Sequence, residues 1–118
     1  LVSESIKQRI LKYALDEDGL LGEPAVFVTL PGGEPDGIAF DVKGNLYVAH
    51  FGGGAIYVIS PEGEIIQKIA TPGSKPSNVE FGGKDMKTLF VTEDETNAVY
   101  ATQMDIPGNL LFWSPNSK

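Results

Sequence analysis

Segments of similar sequence recur along this chain at a spacing of just over forty residues. Residues 47–51 align with residues 90–94 at an offset of 43, and residues 55–57 then fall on residues 98–100 without a gap. Residues 1–5 align with residues 47–51 at an offset of 46. Self-similarity at a nearly fixed period of this length is the signature of an array of structural repeats.

Each repeat is predicted to contain several short β-strands. In the middle repeat, segments rich in β-branched and aromatic residues alternate with turn sequences at Lys43-Gly44, residues 52–54 and Glu62-Gly63. The predicted strands of this repeat are residues 37–41, 45–50, 55–60 and 64–70. Four short antiparallel strands in about 40–50 residues are typical of a β-propeller blade. We therefore predict an all-β chain of propeller blades.

The first repeat begins too late to hold all four strands. In register with the middle repeat, residues 8–15 and 24–30 are its third and fourth strands. Residues 3–15 can also be drawn as an amphipathic helix with Ser3 as its N-cap, but the repeat register favours strands. Trp113 is expected to pack in a terminal strand. The predicted single partial domain, residues 1–118, thus holds a truncated blade (1–30), a full blade (35–71) and a full or last blade (76–115), about two and a half blades.

Composition and charge exclude several classes of protein. The chain has 118 residues, no Cys and a formal net charge of −7. The absence of Cys excludes a disulfide framework, a thiolate nucleophile and a Cys-ligated metal, and it leaves the compartment open, with the cytoplasm preferred. The acidic balance argues against a nucleic-acid or anionic-membrane surface, and the short apolar runs argue against a membrane span. We expect neither nucleic acid nor membrane as a partner.

Two motifs of the second and third repeats resemble a known family. Residues 35–49 read Pro-Asp-Gly, then Asp41, Gly44-Asn45 and a strand ending in Val48-Ala49; residues 81–85 read Phe-Gly-Gly-Lys-Asp, followed by residues 88–92. Both motifs are similar, in order and spacing, to those of the senescence marker protein/gluconolactonase/luciferin-regenerating-enzyme family. The resemblance covers nearly the whole chain. It is specific for the family and uninformative about the substrate.

The resemblance implies a fold, a cofactor and an activity. Family members are six-bladed propellers that bind one divalent metal, often calcium, at the centre of one face, and many hydrolyse sugar lactones. The chain is similar to the C-terminal portion, so Leu1 is interpreted as a cut inside a longer protein. The resemblance therefore implies a metal-dependent hydrolase of lactones or similar esters, with calcium as the first expectation and zinc as the alternative.

Asp36 is the candidate metal ligand and catalytic residue. A hard divalent cation needs several oxygen ligands, and one aspartate supplies only one of them. From spacing alone, Pro-Asp-Gly at residues 35–37 is a turn motif. The family resemblance instead places this motif at the start of an innermost strand and implies that Asp36 holds the metal and serves as general base in lactone hydrolysis.

His50 and Asn78 are the candidate substrate-binding residues. His50 follows the second strand of the middle repeat, and its repeat equivalents, Glu4 and Glu93, are also polar. This position suits either a rim that faces a ligand or a solvated loop. Asn78 lies in the segment equivalent to residues 35–37, where its amide would face the channel or open the strand as an Asx turn.

Two other interpretations of function and assembly stay open. The first is a non-catalytic propeller-like module whose surface serves binding or assembly, because the chain lacks a complete metal shell. The second concerns association: a partial propeller leaves sheet edges and apolar faces open. We therefore expect pairing with an N-terminal fragment that carries the missing blades, or a homo-oligomer such as a two-fold dimer.

Overall fold

The described chain consists of short β-strands joined by turns. The computed structural model describes residues 1–15 and 17–109. Every regular element in those residues is a strand. The strands are Val2–Glu4 (β1), Arg9–Leu15 (β2), Leu21–Thr29 (β3), Glu34–Phe40 (β4), Leu46–Phe51 (β5), Ala55–Ile59 (β6), Ile65–Ala70 (β7), Pro76–Gly82 (β8), Thr88–Glu93 (β9) and Ala98–Gln103 (β10). Accordingly, no helix in the described part is long and apolar enough to cross a membrane.

The strands form three antiparallel sheets in sequence order. The first sheet has the order β1-β2-β3, the second β4-β5-β6-β7, and the third β8-β9-β10. Neighbouring strands in each sheet are consecutive in the chain, so each sheet is a meander closed by tight turns. The turns at Gly44 and Gly63 use φ values of +84° and +89°, which glycine adopts without strain. The all-β prediction is confirmed, and the helical alternative for residues 3–15 is wrong.

The second sheet packs against both of its neighbours through strand β5. Residues 46–50 are buried on both faces of the sheet. Leu46 and Val48 belong to a cluster with Ile10 and Val28 of the first sheet and with Leu30, which directly follows β3. Tyr47 and Ala49 belong to a second cluster with residues of the third sheet: Val79, Phe81, Leu89 and Val91. The alternation along one strand therefore builds two apolar cores.

The first strand of the second sheet differs from the prediction at its start. Strand β4 begins at Glu34, not at residue 37, because Pro35 already pairs with His50. The register then shifts between Pro35 and Ile38, so Asp36 and Gly37 form a β-bulge. Pro-Asp-Gly is therefore part of a strand and not a turn. Such bulges bend a strand and re-aim its side chains.

A buried aspartate organises the turn between β4 and β5. Asp41 is fully buried, and its carboxylate accepts hydrogen bonds from the backbone N–H groups of Lys43 (2.9 Å) and Asn45 (3.0 Å). It also accepts bonds from the Asn45 side chain (2.9 Å) and the Tyr47 hydroxyl (3.1 Å). Burial, and then the charge and hydrogen bond of Asp41, raise the pKa of Tyr47 above its ordinary value. The phenol therefore stays protonated as a donor.

The segment after β10 returns to the second sheet. The Val42 N–H donates to the Pro107 carbonyl, and the Asn109 N–H donates to the Phe40 carbonyl, both at 2.9 Å. These bonds fasten the third sheet to the β4–β5 turn. Residues 110–118, which include Trp113, lie outside the described residues, so the predicted terminal strand stays a prediction.

We predict that Asp41→Ala lowers the free energy of unfolding by about 3 kcal/mol, because it leaves buried donors of Asn45 and Tyr47 without an acceptor. Tyr47→Phe removes one of these bonds and should cost about 1 kcal/mol. Urea denaturation followed by circular dichroism measures both values. Asp85→Ala, at an exposed turn aspartate, is the control. Equal losses for Asp41→Ala and Asp85→Ala would contradict this role.

Candidate functional site

Asp36 lies on the bulge of strand β4, at the end of the second sheet where β5 ends and β6 begins. Its side chain is exposed. The bulge interrupts the pairing with β5, and it changes the direction in which the Asp36 side chain leaves the strand. The bulge therefore presents one carboxylate to solvent at a fixed place in the fold.

Side chains from the first sheet hold the backbone at this bulge. The Ser5 hydroxyl donates to the Pro35 carbonyl oxygen (2.8 Å), and the Ser3 hydroxyl donates to the Asp36 carbonyl oxygen (3.0 Å). Both bonds join residues about thirty positions apart in sequence, across the contact of two sheets. They fix the main chain from which the Asp36 carboxylate extends.

Asn78 of the third sheet covers the other side of the bulge. A β-carbon at Gly37 would overlap the side-chain oxygen of Asn78 and would lie 2.8 Å from its α-carbon. Only glycine permits this approach of β4 and β8. The Asn78 side-chain oxygen accepts a hydrogen bond from the Val79 N–H (2.9 Å), so its NH₂ group is left as a donor. The structure thus brings the predicted residues Asp36 and Asn78 to neighbouring positions.

The electrostatic environment of Asp36 is negative. Loss of hydration raises the pKa of Asp36 above its ordinary value, and the negative charges of Asp94 and Glu34 raise it further. Asp36 takes part in neither of the ion pairs that Glu4 forms with Arg9 (2.8 Å) and Lys7 (3.7 Å). A cation bound at Asp36 would reduce the repulsion of Asp36 by Asp94 and Glu34.

The donors at Asp36 fit part of a metal shell. Exposed carboxylate oxygen in a negative environment is the ligand chemistry that calcium prefers. However, in residues 1–15 and 17–109 no group of three or more His, Cys, Asp or Glu side chains is placed to hold a metal ion. Asp36 thus suits a role as one ligand among several, and the described residues do not supply a complete shell.

A cavity of about 250 Å³ lies away from Asp36. It opens between the second and third sheets, and its lining includes Gln67, Ile69 and residues 102–106. Tyr47 also borders this space, but its hydroxyl is engaged by Asp41. The candidate carboxylate is therefore on an exposed sheet end and not inside this cavity.

His50 is buried between the first and second sheets. Only 2% of its surface is exposed, and its ring lies edge-on to that of Tyr57. Its Nε2 lies 2.9 Å from the Leu30 carbonyl oxygen, which can only accept, so Nε2 carries the hydrogen. Nδ1 has no hydrogen-bond partner among the described residues. His50 thus tethers the connection between two sheets, and its role towards a substrate stays a prediction.

Glu93, the repeat equivalent of His50, makes the same kind of tether. Its buried carboxylate accepts a hydrogen bond from the Lys75 N–H (2.7 Å), which lies in the connection from the second to the third sheet. It also accepts bonds from the Thr96 N–H (2.6 Å), the Thr96 hydroxyl (2.7 Å) and the Glu95 N–H (3.1 Å). Burial alone would raise its pKa, but these hydrogen bonds lower the pKa of Glu93 to about 2.

Asp94 is a neighbour of the site that the sequence motifs did not indicate. Asp94 directly follows β9, and its carboxylate accepts a hydrogen bond from the Ser77 hydroxyl (3.0 Å). Ser77 precedes Asn78, which contacts Gly37 next to Asp36. The position of Asp94 in its repeat could have indicated this. It directly follows the second strand of the repeat, at the end of the sheet that corresponds to the position of Asp36.

Sequence comparisons agree with the architecture of meandering sheets. The SMP-30/Gluconolactonase/LRE-like region matches residues 1–95. A 6-deoxy-6-sulfogluconolactonase from Pseudomonas putida is 34% identical over 122 aligned residues, which cover 90% of this chain and 42% of that protein.

Solved structures show the same relationship. A luciferin-regenerating enzyme superposes with a TM-score of 0.79 at 27% identity, over 90% of this chain and 41% of its own. A gluconolactonase from Xanthomonas campestris gives a TM-score of 0.69 at 27% identity, over 86% of this chain and 30% of its own. The three sheets are therefore blades of a partial β-propeller, as predicted. The chain belongs to the SMP-30/gluconolactonase/LRE-like family and spans about two fifths of the length of the sulfogluconolactonase and of the luciferin-regenerating enzyme.

We predict that acid destabilises the chain partly through Glu93. A folded-state pKa lowered from 4.5 to about 2 stabilises the fold fully above pH 4.5, and this contribution is lost as the pH falls towards 2. Glu93→Gln should therefore lower the melting temperature at pH 7 and flatten its decline between pH 5 and about 2. Thermal unfolding across this range measures the effect, with Glu62→Gln in an exposed turn as the control. Parallel pH profiles for the wild type and Glu93→Gln would refute the assignment.

Proposed function

We propose that this chain contributes the blades bearing Asp36 to a metal-dependent hydrolase of lactones or similar esters. The observation that carries the proposal is the exposed, bulge-mounted Asp36 carboxylate in an uncompensated negative environment, in a chain of the SMP-30/gluconolactonase/LRE-like family. The gluconolactonase and sulfogluconolactonase names of its relatives support a lactone as the substrate class. The activity belongs to the whole propeller, since this chain spans only part of its relatives.

Asp36 has two tasks in the proposed reaction. Its carboxylate provides one oxygen to hold a divalent cation, calcium first and zinc as the alternative, and the other oxygen accepts a proton from the attacking water. When bound, the cation would polarise the lactone carbonyl.

Asn78 orients the substrate in this proposal. Its side-chain oxygen is occupied by the Val79 N–H, so its NH₂ group is the part that can donate to a lactone ring oxygen or hydroxyl. Contact with Gly37 holds this amide beside Asp36. His50 has a different position: it supports the sheet contact behind Asp36, and a direct contact with substrate would require its buried Nδ1 to become accessible.

Calcium titration tests the metal role of Asp36 directly. Because Asp36 supplies only one ligand, we expect the 118-residue chain to bind Ca²⁺ more weakly than a complete site does, with a dissociation constant on the order of 10 mM or above. Asp36→Ala should abolish this binding, whereas Glu62→Ala, at the opposite end of the second sheet, should leave it unchanged. Nuclear magnetic resonance titration of the ¹⁵N-labelled chain measures both. A well-folded chain without calcium-dependent shifts near Asp36 would leave the non-catalytic binding module as the better account.

Lactone hydrolysis tests the catalytic role in the protein that carries this chain. Proton release from glucono-δ-lactone in excess calcium gives the rate above the uncatalysed reaction. Asp36→Asn keeps the shape of the side chain but removes the base, so kcat/KM should fall by about 100-fold or more. An Asp36→Asn protein with full activity would contradict the assignment of the base even if calcium binding by the wild type were confirmed.

A further inference from the structure

The two serine hydroxyls beside the Asp36 bulge have no equivalent at the contact between the second and third sheets. The repeat offsets make Ala49 and Phe51 the equivalents of Ser3 and Ser5, and Ser77 the equivalent of Asp36. Strand β8 has the same kind of register shift around Ser77. Ala49 and Phe51 have no side-chain donor, so the second sheet cannot hold the β8 bulge in this way. Packing of adjacent sheets therefore does not by itself require the serine pair.

The geometry of the pair suits control of the Asp36 main chain. Ser5 and Ser3 donate to two successive carbonyls, those of Pro35 (2.8 Å) and Asp36 (3.0 Å). Two bonds to neighbouring peptide groups restrict the peptide planes on both sides of the Asp36 α-carbon. The bulge interrupts the regular pairing of β4 with β5 at this point. The hydroxyls of Ser3 and Ser5 therefore supply part of the restraint that regular pairing would give.

We propose that Ser3 and Ser5 are positioning residues that hold the Asp36 carboxylate in its cation-binding orientation. The proposal rests on the proposed function of Asp36. A ligand that is already ordered loses less conformational freedom when a cation binds, so the pair raises affinity without touching the cation. Asn78 contacts Gly37 on the other side of the bulge. Ser3 and Ser5 restrain the main chain of the bulge by hydrogen bonds.

Calcium affinity of the 118-residue chain is the first test. The double variant Ser3→Ala/Ser5→Ala should bind Ca²⁺ about tenfold more weakly, in the range found when supporting hydrogen bonds of metal ligands are removed. Ser3→Thr/Ser5→Thr keeps both hydroxyls and should restore the affinity. Ser60→Ala removes a hydroxyl that accepts from the Glu64 N–H (3.1 Å) at the far end of the second sheet, and it is the matched control.

The melting temperature separates positioning from stability. We expect Ser3→Ala/Ser5→Ala to shift it no more than twice as far as Ser60→Ala, because it removes two bonds instead of one. A tenfold loss of affinity in a chain that is equally folded then comes from the lost positioning. Unchanged calcium affinity in the double alanine variant would overturn the proposal.

A second readout needs no calcium. Backbone ¹⁵N order parameters at Asp36 and Gly37 should fall from about 0.85 towards 0.6 in Ser3→Ala/Ser5→Ala, and those at Ser77 and Asn78 should stay constant. If the wild-type chain binds no calcium, the metal role of Asp36 fails, and these order parameters alone decide whether the serines order the bulge. Unchanged values at Asp36 and Gly37 would overturn the positioning role in either case.

Discussion

Strand β5 is buried on both of its faces and contributes side chains to both apolar cores. Leu46 and Val48 face the first sheet, while Tyr47 and Ala49 face the third, and all four are almost completely buried. The Tyr47 ring meets Phe81 edge-on at 4.9 Å. Because one strand serves two cores, a register slip of one residue would move the side chains of each core to the opposite face, where they do not fit. Strand β5 therefore links the second sheet to both of its neighbours.

This arrangement of the three sheets creates the candidate site. With the sheets stacked through β5, the first strands of the second and third sheets meet, and Gly37 comes against Asn78. The first sheet reaches the same place with Ser3 and Ser5. The Asp36 carboxylate thus stands on a bulge supported from both sides, where negative neighbours disfavour its charge. A position that costs electrostatic energy in the metal-free chain is consistent with a binding role and has no evident role in stability.

Much of this architecture could be predicted from the sequence, because aligning the repeats places equivalent strands at equivalent positions in each blade. The strands of the middle repeat fall close to their predicted bounds, and the strand predicted over residues 8–15 is β2, Arg9–Leu15, in register with β6. The bulge at Asp36 was not predictable in this way, since Pro-Asp-Gly has the local signature of a turn. Contacts between sheets could not be predicted either. The hydrogen bonds of His50 and Glu93 to neighbouring connections, and the position of Asp94 near Asp36, depend on how the sheets stack, which no local sequence pattern specifies.

We propose that the bulge at Asp36 holds a hard divalent cation. The most direct measurement is paramagnetic broadening of backbone amide signals by substoichiometric Mn²⁺, which shares the preference of calcium for oxygen ligands. We expect the broadening to be centred on Asp36 and Gly37 and to extend to Asn78. Excess Ca²⁺ should reverse it. Broadening centred on another acidic segment, such as Glu17 and Asp18, with sharp signals at Asp36, would contradict this proposal.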